Sequence, residues 1–348
     1  SIIPGLFAIY KKDRWAGYFG MSNVVGGGKV EFDDGLATTH VIGTGIQSFA
    51  NANLAAGLTG LVPDPSIYYY TGFIHNFKGE HVGLGYTFGG AYKINDMFSI
   101  ALAARYVDTE KKLKGGATIS ATNLLPGFND PINVLAEFEE DAQGWGGVIG
   151  LNISPNDQLN IGIRYETRVD LDYDADVKQD THGILSQFDV IDGGERERNL
   201  PAIFAIGASY QVNAKIRLET NLTYYLNKDA SFDDLSGTSQ DESDVDNGFD
   251  LGIAFEYAFS DTLKGSVGYL YTETGVDAED MTPWLPELGG HTLGAGLAWE
   301  VVPNLDLNFG ILQCFYQDED FIEPTTSDTI KYEKDITLLA FGVQYKFM

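Results

Sequence analysis

The chain alternates apolar and polar residues with a period of two over stretches much longer than an ordinary globular strand. From Leu159 one row reads Leu159, Ile161, Ile163, Tyr165, Val169, Leu171 and Tyr173, broken once by Thr167. The opposite row reads Asn160, Gly162, Arg164, Glu166, Arg168, Asp170 and Asp172. Residues two apart share a face of a strand, so such rows predict a sheet with one apolar and one polar surface. The pattern returns in Ala202, Phe204, Ile206, Ala208, Tyr210 and Val212, and in Leu293, Ala295, Leu297, Trp299 and Val301. A soluble sandwich alternates too, but its strands run about 5–6 residues. Several here run a dozen or more, which suits about 9–11 tilted residues in a bilayer plus an extension beyond it.

The rows predict about thirteen strands, near 3–10, 15–28, 81–93, 97–107, 143–154, 157–173, 199–212, 214–226, 248–259, 262–274, 290–301, 304–316 and 334–347. The fold class is therefore all-β: one antiparallel transmembrane β-barrel spanning 1–348. Bacterial single-chain barrels have even strand numbers, so a wall of about 14 is expected. The further strand either precedes Ser1 or is the stretch 66–77, and the side on which the short turns fall favours the first. Short turns recur at 11–14, 94–96, 154–157, 212–214, 260–261 and 302–304 and are rich in Asn, Asp and Pro, which suit tight hairpins. Long polar loops are expected near 29–80, 108–142, 174–198, 227–247, 274–290 and 317–334. That asymmetry is the outer-membrane arrangement, with the long loops outside the cell.

Composition sharpens the picture. No stretch approaches the roughly 18 apolar residues of a transmembrane helix. The chain of 348 residues carries a formal net charge of -28, which argues against nucleic acid as a partner. Gly (41), Tyr (19) and Phe (21) are abundant, as barrel walls and their aromatic girdles require. The single cysteine, Cys314, allows no internal disulfide. Ser1-Ile2-Ile3-Pro4 carries no signal-peptide pattern, as in a mature or trimmed chain. His40, His75, His81, His182 and His291 show no metal-ligand spacing, and no catalytic triad order or phosphate loop stands out, so neither enzyme chemistry, metal nor cofactor is expected.

Four stretches carry a family resemblance. They are Gly89–Ile100 with its Asn95-Asp96 turn, Gly144-Trp145-Gly146-Gly147 leading to Ile161–Thr167, Asn199-Leu200-Pro201, and Asp280–Pro286 before His291. Their order and spacing resemble the FadL/TodX family of outer-membrane transporters for long-chain fatty acids and other hydrophobic compounds. The terminal run Gly342-x-x-Tyr345-x-Phe347 is similar to the aromatic signal of barrel assembly, although Met348 follows it. The resemblance implies an N-terminal hatch and a first strand, which the sequence does not contain. It starts where the family's second strand would lie.

The resemblance also implies passive transport: outer loops catch a hydrophobic ligand, an apolar interior holds it, and a kinked third strand releases it sideways. The matching stretch here is Val24-Val25-Gly26-Gly27-Gly28, whose glycines suit a bulge or bend. An ordinary loop entry at the outer rim is the other reading. The segment 36–80 reads as a long apolar outer loop, with helical spacing from Ile46 to Leu58. Its Phe49, Leu54, Leu58, Tyr68 and Tyr70 are candidate capture residues, or simply pack against neighbouring loops. In the lumen, Arg164, Arg168 and Arg217 either pair across strands or meet a ligand carboxylate. The carboxylates Asp170, Asp172, Asp174 and Asp176 read as a solvated acidic face. Expected partners are a hydrophobic small molecule, outer-membrane lipid and lipopolysaccharide, with the protein a monomer. A general porin-like channel or surface-adhesion barrel is the main alternative, and an apolar path from loops to wall separates the two.

Overall fold

The computed structural model describes residues 2–188, 190–230, 245–281, 286–322 and 329–347. β1 (Gly5–Lys12) and β2 (Trp15–Phe32) form a hairpin, and α1 (Ala37–Leu58) follows it. Then come three long strands, β3 (Tyr69–Lys93), β4 (Phe98–Thr122) and β5 (Ile132–Ile153). β6 (Leu159–Glu166), β7 (Asp172–Asp180), β8 (Glu195–Glu197) and β9 (Ala202–Gln211) make one broken hairpin. Next are β10 (Ile216–Leu226), β11 (Gly248–Ala258), β12 (Leu263–Glu273), β13 (Gly290–Val302) and β14 (Leu305–Tyr316). A small outer hairpin of β15 (Glu319–Ile322) and β16 (Thr329–Tyr332) precedes β17 (Asp335–Tyr345).

Among the described residues the wall is one antiparallel path of thirteen strands, β1-β2-β3-β4-β5-β6-β9-β10-β11-β12-β13-β14-β17. No described helix is long and apolar enough to cross a membrane. The strands cross instead. On β13 exposure alternates residue by residue, with Leu293, Leu297 and Trp299 bare on the outer face and Gly294, Gly296 and Ala298 turned inward. The outer face thus offers hydrocarbon to lipid, while neighbouring strands satisfy each other's backbone along the ladder, as a bilayer demands.

Three of the tight turns share one device. Asn95 Oδ1 accepts from the Met97 and Phe98 amides at 2.9 and 2.8 Å. Asn156 Oδ1 accepts from Gln158 and Leu159, both at 2.9 Å, and Asn213 Oδ1 from Lys215 and Ile216 at 2.9 and 3.1 Å. Each side chain mimics a turn carbonyl and closes the hairpin locally.

The structure corrects several expected boundaries. The stretches around 69–80, 108–122 and 132–142 are ladder rather than loop, because β3, β4 and β5 run on together past the membrane. There most exposed positions are polar or small and many apolar ones are buried by loops, so no sustained lipid-facing alternation marks them. Residues 69–77 form the outer end of β3, not a separate wall strand. The helix spans 22 residues rather than starting at Ile46. β6 stops at Glu166, whereas alternation had carried it to 173. Residues 231–244 of the expected loop near 227–247, and the 282–285 part of the family-like loop, lie outside the described residues.

Candidate functional site

The site begins at β2. Its ladder to β3 pairs Asn23 with Leu84, Val25 with Gly83 and Gly28 with His81, so four residues of β2 (24–27) stand opposite two of β3 (82–83). Two register shifts in six residues are a double bulge, which bends a strand and frees part of its backbone. Gly26 and Gly28 take φ of +78° and +94°, the left-handed region that glycine tolerates best. The Asn23 side chain donates to the Gly26 carbonyl at 2.7 Å and ties the bulge to itself.

β3 is cut to receive this bend. A Cβ built on Gly83 would lie 2.0 Å from Val25 Cγ1, and one on Gly85 would lie 2.6 Å from Val24 Cγ1. A Cβ on Gly26 would lie 2.2 Å from the His81 carbonyl oxygen. Bend and receiving strand are therefore in contact at van der Waals distance only because these side chains are missing. Gly27 has open space around it.

A second irregularity faces the first. β5 pairs with β6 from Val148↔Glu166 downward and with β7 from Asp141↔Asp174 outward. Between those pairs lie six residues of β5 (142–147) and seven (167–173) of the opposite chain. One extra residue exchanges the faces, since side chains alternate with a period of two. Odd positions of β6 such as Tyr165 point outward, but Val169, Leu171 and Tyr173 are buried at 5%, 0% and 4% exposure. They pack with Val107 and Ala142, and Val24 from the bend of β2 packs against the same cluster. Gly144 and Gly146 make room: Cβ atoms there would fall 2.6 and 2.8 Å from Val169 methyls. The apolar row from Leu159 to Tyr173 is thus continuous in sequence but changes face at Thr167.

Beside this apolar cluster is a polar one. Glu140, 1% exposed, pairs with Lys111 at 3.3 Å and with Arg196. His81 Nε2 lies 3.2 Å from Thr109 Oγ1 and 3.4 Å from the Tyr173 hydroxyl. Arg198 pairs with Glu287 at 2.9 Å. Further out, Phe77, Leu113, Phe138, Ala175, Leu185 and Val190 form a second buried apolar cluster, between the outer parts of β3, β4 and β5 and the segment that contains β7.

The expected site residues fall into separate places. Val24, Val25 and Gly26–Gly28 make the bend of β2. Leu54, Leu58 and Tyr70 are buried together with Ile119, and Tyr68 packs on that cluster, so α1 is fastened over the outer ends of β3 and β4. Asn51 and Gln47 reinforce it: Asn51 Oδ1 accepts from the Tyr70 amide at 2.7 Å, and the Gln47 amide donates to the Tyr70 carbonyl at 3.0 Å. Phe49 instead projects from the helix, 73% exposed. Two of the lumen arginines pair along their own strands rather than across, Arg164 with Glu166 at 3.0 Å and Arg217 with Glu219, while Arg168, beyond the end of β6, pairs with Asp170 at 2.7 Å and donates to the Asp229 carbonyl at 2.7 Å. β6 and β10 are separated by β9, so the strands bearing Arg164 and Arg217 are not neighbours. Lys111, Glu140, Arg196, Gly83 and Gly85 were not singled out from the sequence, and Gly144 and Gly146 were noted only as part of the family resemblance. The paired glycines G-x-G at 83–85 and 144–146 were the available signal. No group of three or more His, Cys, Asp or Glu able to hold a metal ion occurs among the described residues.

Comparison with known proteins agrees with this architecture. The family model described as "Outer membrane protein transport protein (OMPP1/FadL/TodX)" matches residues 73–347. A long-chain fatty acid transport protein of Escherichia coli is 21% identical over 314 residues, covering 80% of this chain and 69% of that protein. Among solved structures, a Pseudomonas aeruginosa FadL homologue superposes with a TM-score of 0.65 at 13% identity, covering 99% of this chain and 78% of that one. The toluene transporter TodX of P. putida gives 0.60 at 14%, covering 99% and 83%. With the family matched over most of its length and the barrel in view, the chain belongs to the FadL/TodX family of outer-membrane transport proteins.

Proposed function

We propose that the protein moves hydrophobic small molecules, long-chain fatty acids or similar compounds, passively through the outer membrane and releases them sideways at the bend of β2. The observation that carries this reading is the double bulge at Asn23–Gly28 seated on side-chain-free Gly83 and Gly85. A regular ladder would seal the wall there; the bulge leaves backbone unpaired and removes side chains, giving an acyl chain room to pass. The route is downhill throughout. Phe49, exposed on α1, offers first contact, and the buried apolar clusters offer surroundings worth about 0.8 kcal/mol per methylene removed from water. No catalytic step is needed.

Lys111 and Arg196 both bear on the single carboxylate of Glu140, so this part of the interior carries a surplus cation. That balance suits a ligand with an acidic headgroup. The bare outer face meets lipid, and the outer strand ends and loops reach the level of lipopolysaccharide, with the protein acting as a monomer. The general-porin alternative is disfavoured by the family match and by the similarity to a long-chain fatty acid transport protein. The test is uptake of a labelled long-chain fatty acid by cells or vesicles carrying the full-length protein, with ion conductance measured on the same preparation. Uptake without steady conductance supports the transporter; a constant open conductance without uptake supports the porin.

A further inference from the structure

The double bulge of β2 has an inner neighbour that the proposed route must pass. Residues 167–171 leave the wall, cross over Gly144 and Gly146, and return through the bridge between Val169 and Leu200. This strap is built to stay. Thr167 is held at both ends of its peptide side, its amide donating to the Gly147 carbonyl at 2.9 Å and its hydroxyl accepting from the Gly147 amide at 2.8 Å. Val169 and Leu200 exchange backbone bonds at 3.1 and 2.9 Å, and the Leu171 amide donates to Asn199 Oδ1 at 2.8 Å. Asn199 is 1% exposed and keeps its other end on Glu197 at 2.7 Å.

Such fixation has a product: two aliphatic side chains, Val169 and Leu171, held rigidly inside the barrel where the alternation of the strand would have sent them into lipid. They join Val107 in the cluster against which Val24, the first residue of the bend, is packed. Anything leaving the interior through the bend slides past this surface. A backstop made of fixed backbone cannot swing away as a loop does, so its side-chain volume sets the width of the passage.

We propose that the strap 167–171 is the size filter of the lateral exit, with Leu171 and Val169 as specificity-determining residues. This rests on the exit at β2 proposed above. A slim ligand, a single acyl chain, fits between Val24 and the strap by side-chain rotation alone, whereas a fused-ring compound requires the volume that Leu171 occupies. Pockets differing by a methylene or more discriminate about tenfold, so trimming the strap should change the ratio of bulky to slim uptake by that order.

The experiment compares uptake of a straight-chain fatty acid and a four-ring sterol by the full-length protein, as wild type, Val169→Ala, Leu171→Ala and the double variant. Folding is checked by heat-modifiable migration of the barrel. The expected result is a sterol-to-fatty-acid ratio that rises about tenfold in Leu171→Ala and less in Val169→Ala. Should Leu171→Ala fail to fold, Val169→Ala still carries the comparison. An unchanged ratio in a folded variant, whether both rates hold or both fall together, overturns the filter while leaving the transporter reading intact. A wild type that takes up neither compound overturns the transporter reading instead, and the filter with it.

Discussion

Val25 occupies the space that a side chain on Gly83 would need: a Cβ there would come within 2.0 Å of Val25 Cγ1. Contacts this close do not occur, so Gly83→Ala must push the bend of β2 away from β3 or undo it. The expected outcome is a folded barrel with strongly reduced uptake of hydrophobic compounds. Gly90→Ala is the control, because the nearest atom to its Cβ would be the Ala16 carbonyl oxygen at 3.7 Å. Equal uptake by the two variants would remove the bend from the transport route.

The glycines of the bend are not equivalent. Gly26 combines φ of +78° with a Cβ position 2.2 Å from the His81 carbonyl, whereas Gly27 has neither constraint. Gly26→Ala should lower stability by about 1–3 kcal/mol, the usual cost of a forced backbone conformation, and more if the clash is not relieved. Gly27→Ala should be near neutral. Urea or guanidinium titration of the detergent-solubilised barrel, followed by tryptophan fluorescence, separates them.

Glu140 is the buried partner of two cations. Glu140→Ala leaves Lys111 and Arg196 facing each other without their carboxylate, and removing one member of a buried pair typically costs about 3–5 kcal/mol. The loss should be largest in the outer part of the wall. Hydrogen exchange should show faster exchange of amides in 136–141 and 172–180, the ladder of β5 with β7, while 143–153 stays protected. Uniform exchange across both stretches would argue against a local role.

α1 separates fastening from exposure. Leu58 is 0% exposed and Phe49 is 73% exposed on the same helix. Leu58→Ala should cost about 2–5 kcal/mol of local stability and make 37–58 sensitive to added protease. Phe49→Ala should leave protease resistance unchanged and reduce uptake at low ligand concentration, where capture limits the rate. Unaltered uptake at all concentrations would exclude Phe49 from the capture step.

The wall was legible because a bilayer enforces a rule that water does not. Wherever one face of the strand meets lipid, as in Leu293–Val301 or Ala202–Tyr210, the alternation is visible and the strands lie where it placed them. Beyond the membrane the rule lapses. Lys111, Lys112 and Lys114 give β4 no apolar parity, yet it remains paired with β5 as far as Ile119↔Ile132, so ladder was read as loop. At the bend, three glycines announced a bulge, and the resemblance placed the exit beside it. Their counterparts Gly83 and Gly85 were silent, because a missing side chain takes its meaning from what fills the gap, here Val24 and Val25 brought in from another strand. Arg164 and Arg217 could not pair with each other across strands, because β9, the strand legible at 199–212, lies between theirs.

The extra residue between 167 and 173 behaves like a frameshift in a code of two letters. From there through β7 the pattern is read with inside and outside exchanged, so a hydrophobic side chain specified by an unchanged pattern ends up serving the cargo instead of the membrane. A chain can therefore acquire an interior binding surface without inventing one: a single insertion redirects residues already selected for contact with hydrocarbon, and a single deletion would return them. Barrels of this kind can be expected to differ in cargo through the position and parity of such insertions as much as through the chemistry of individual side chains.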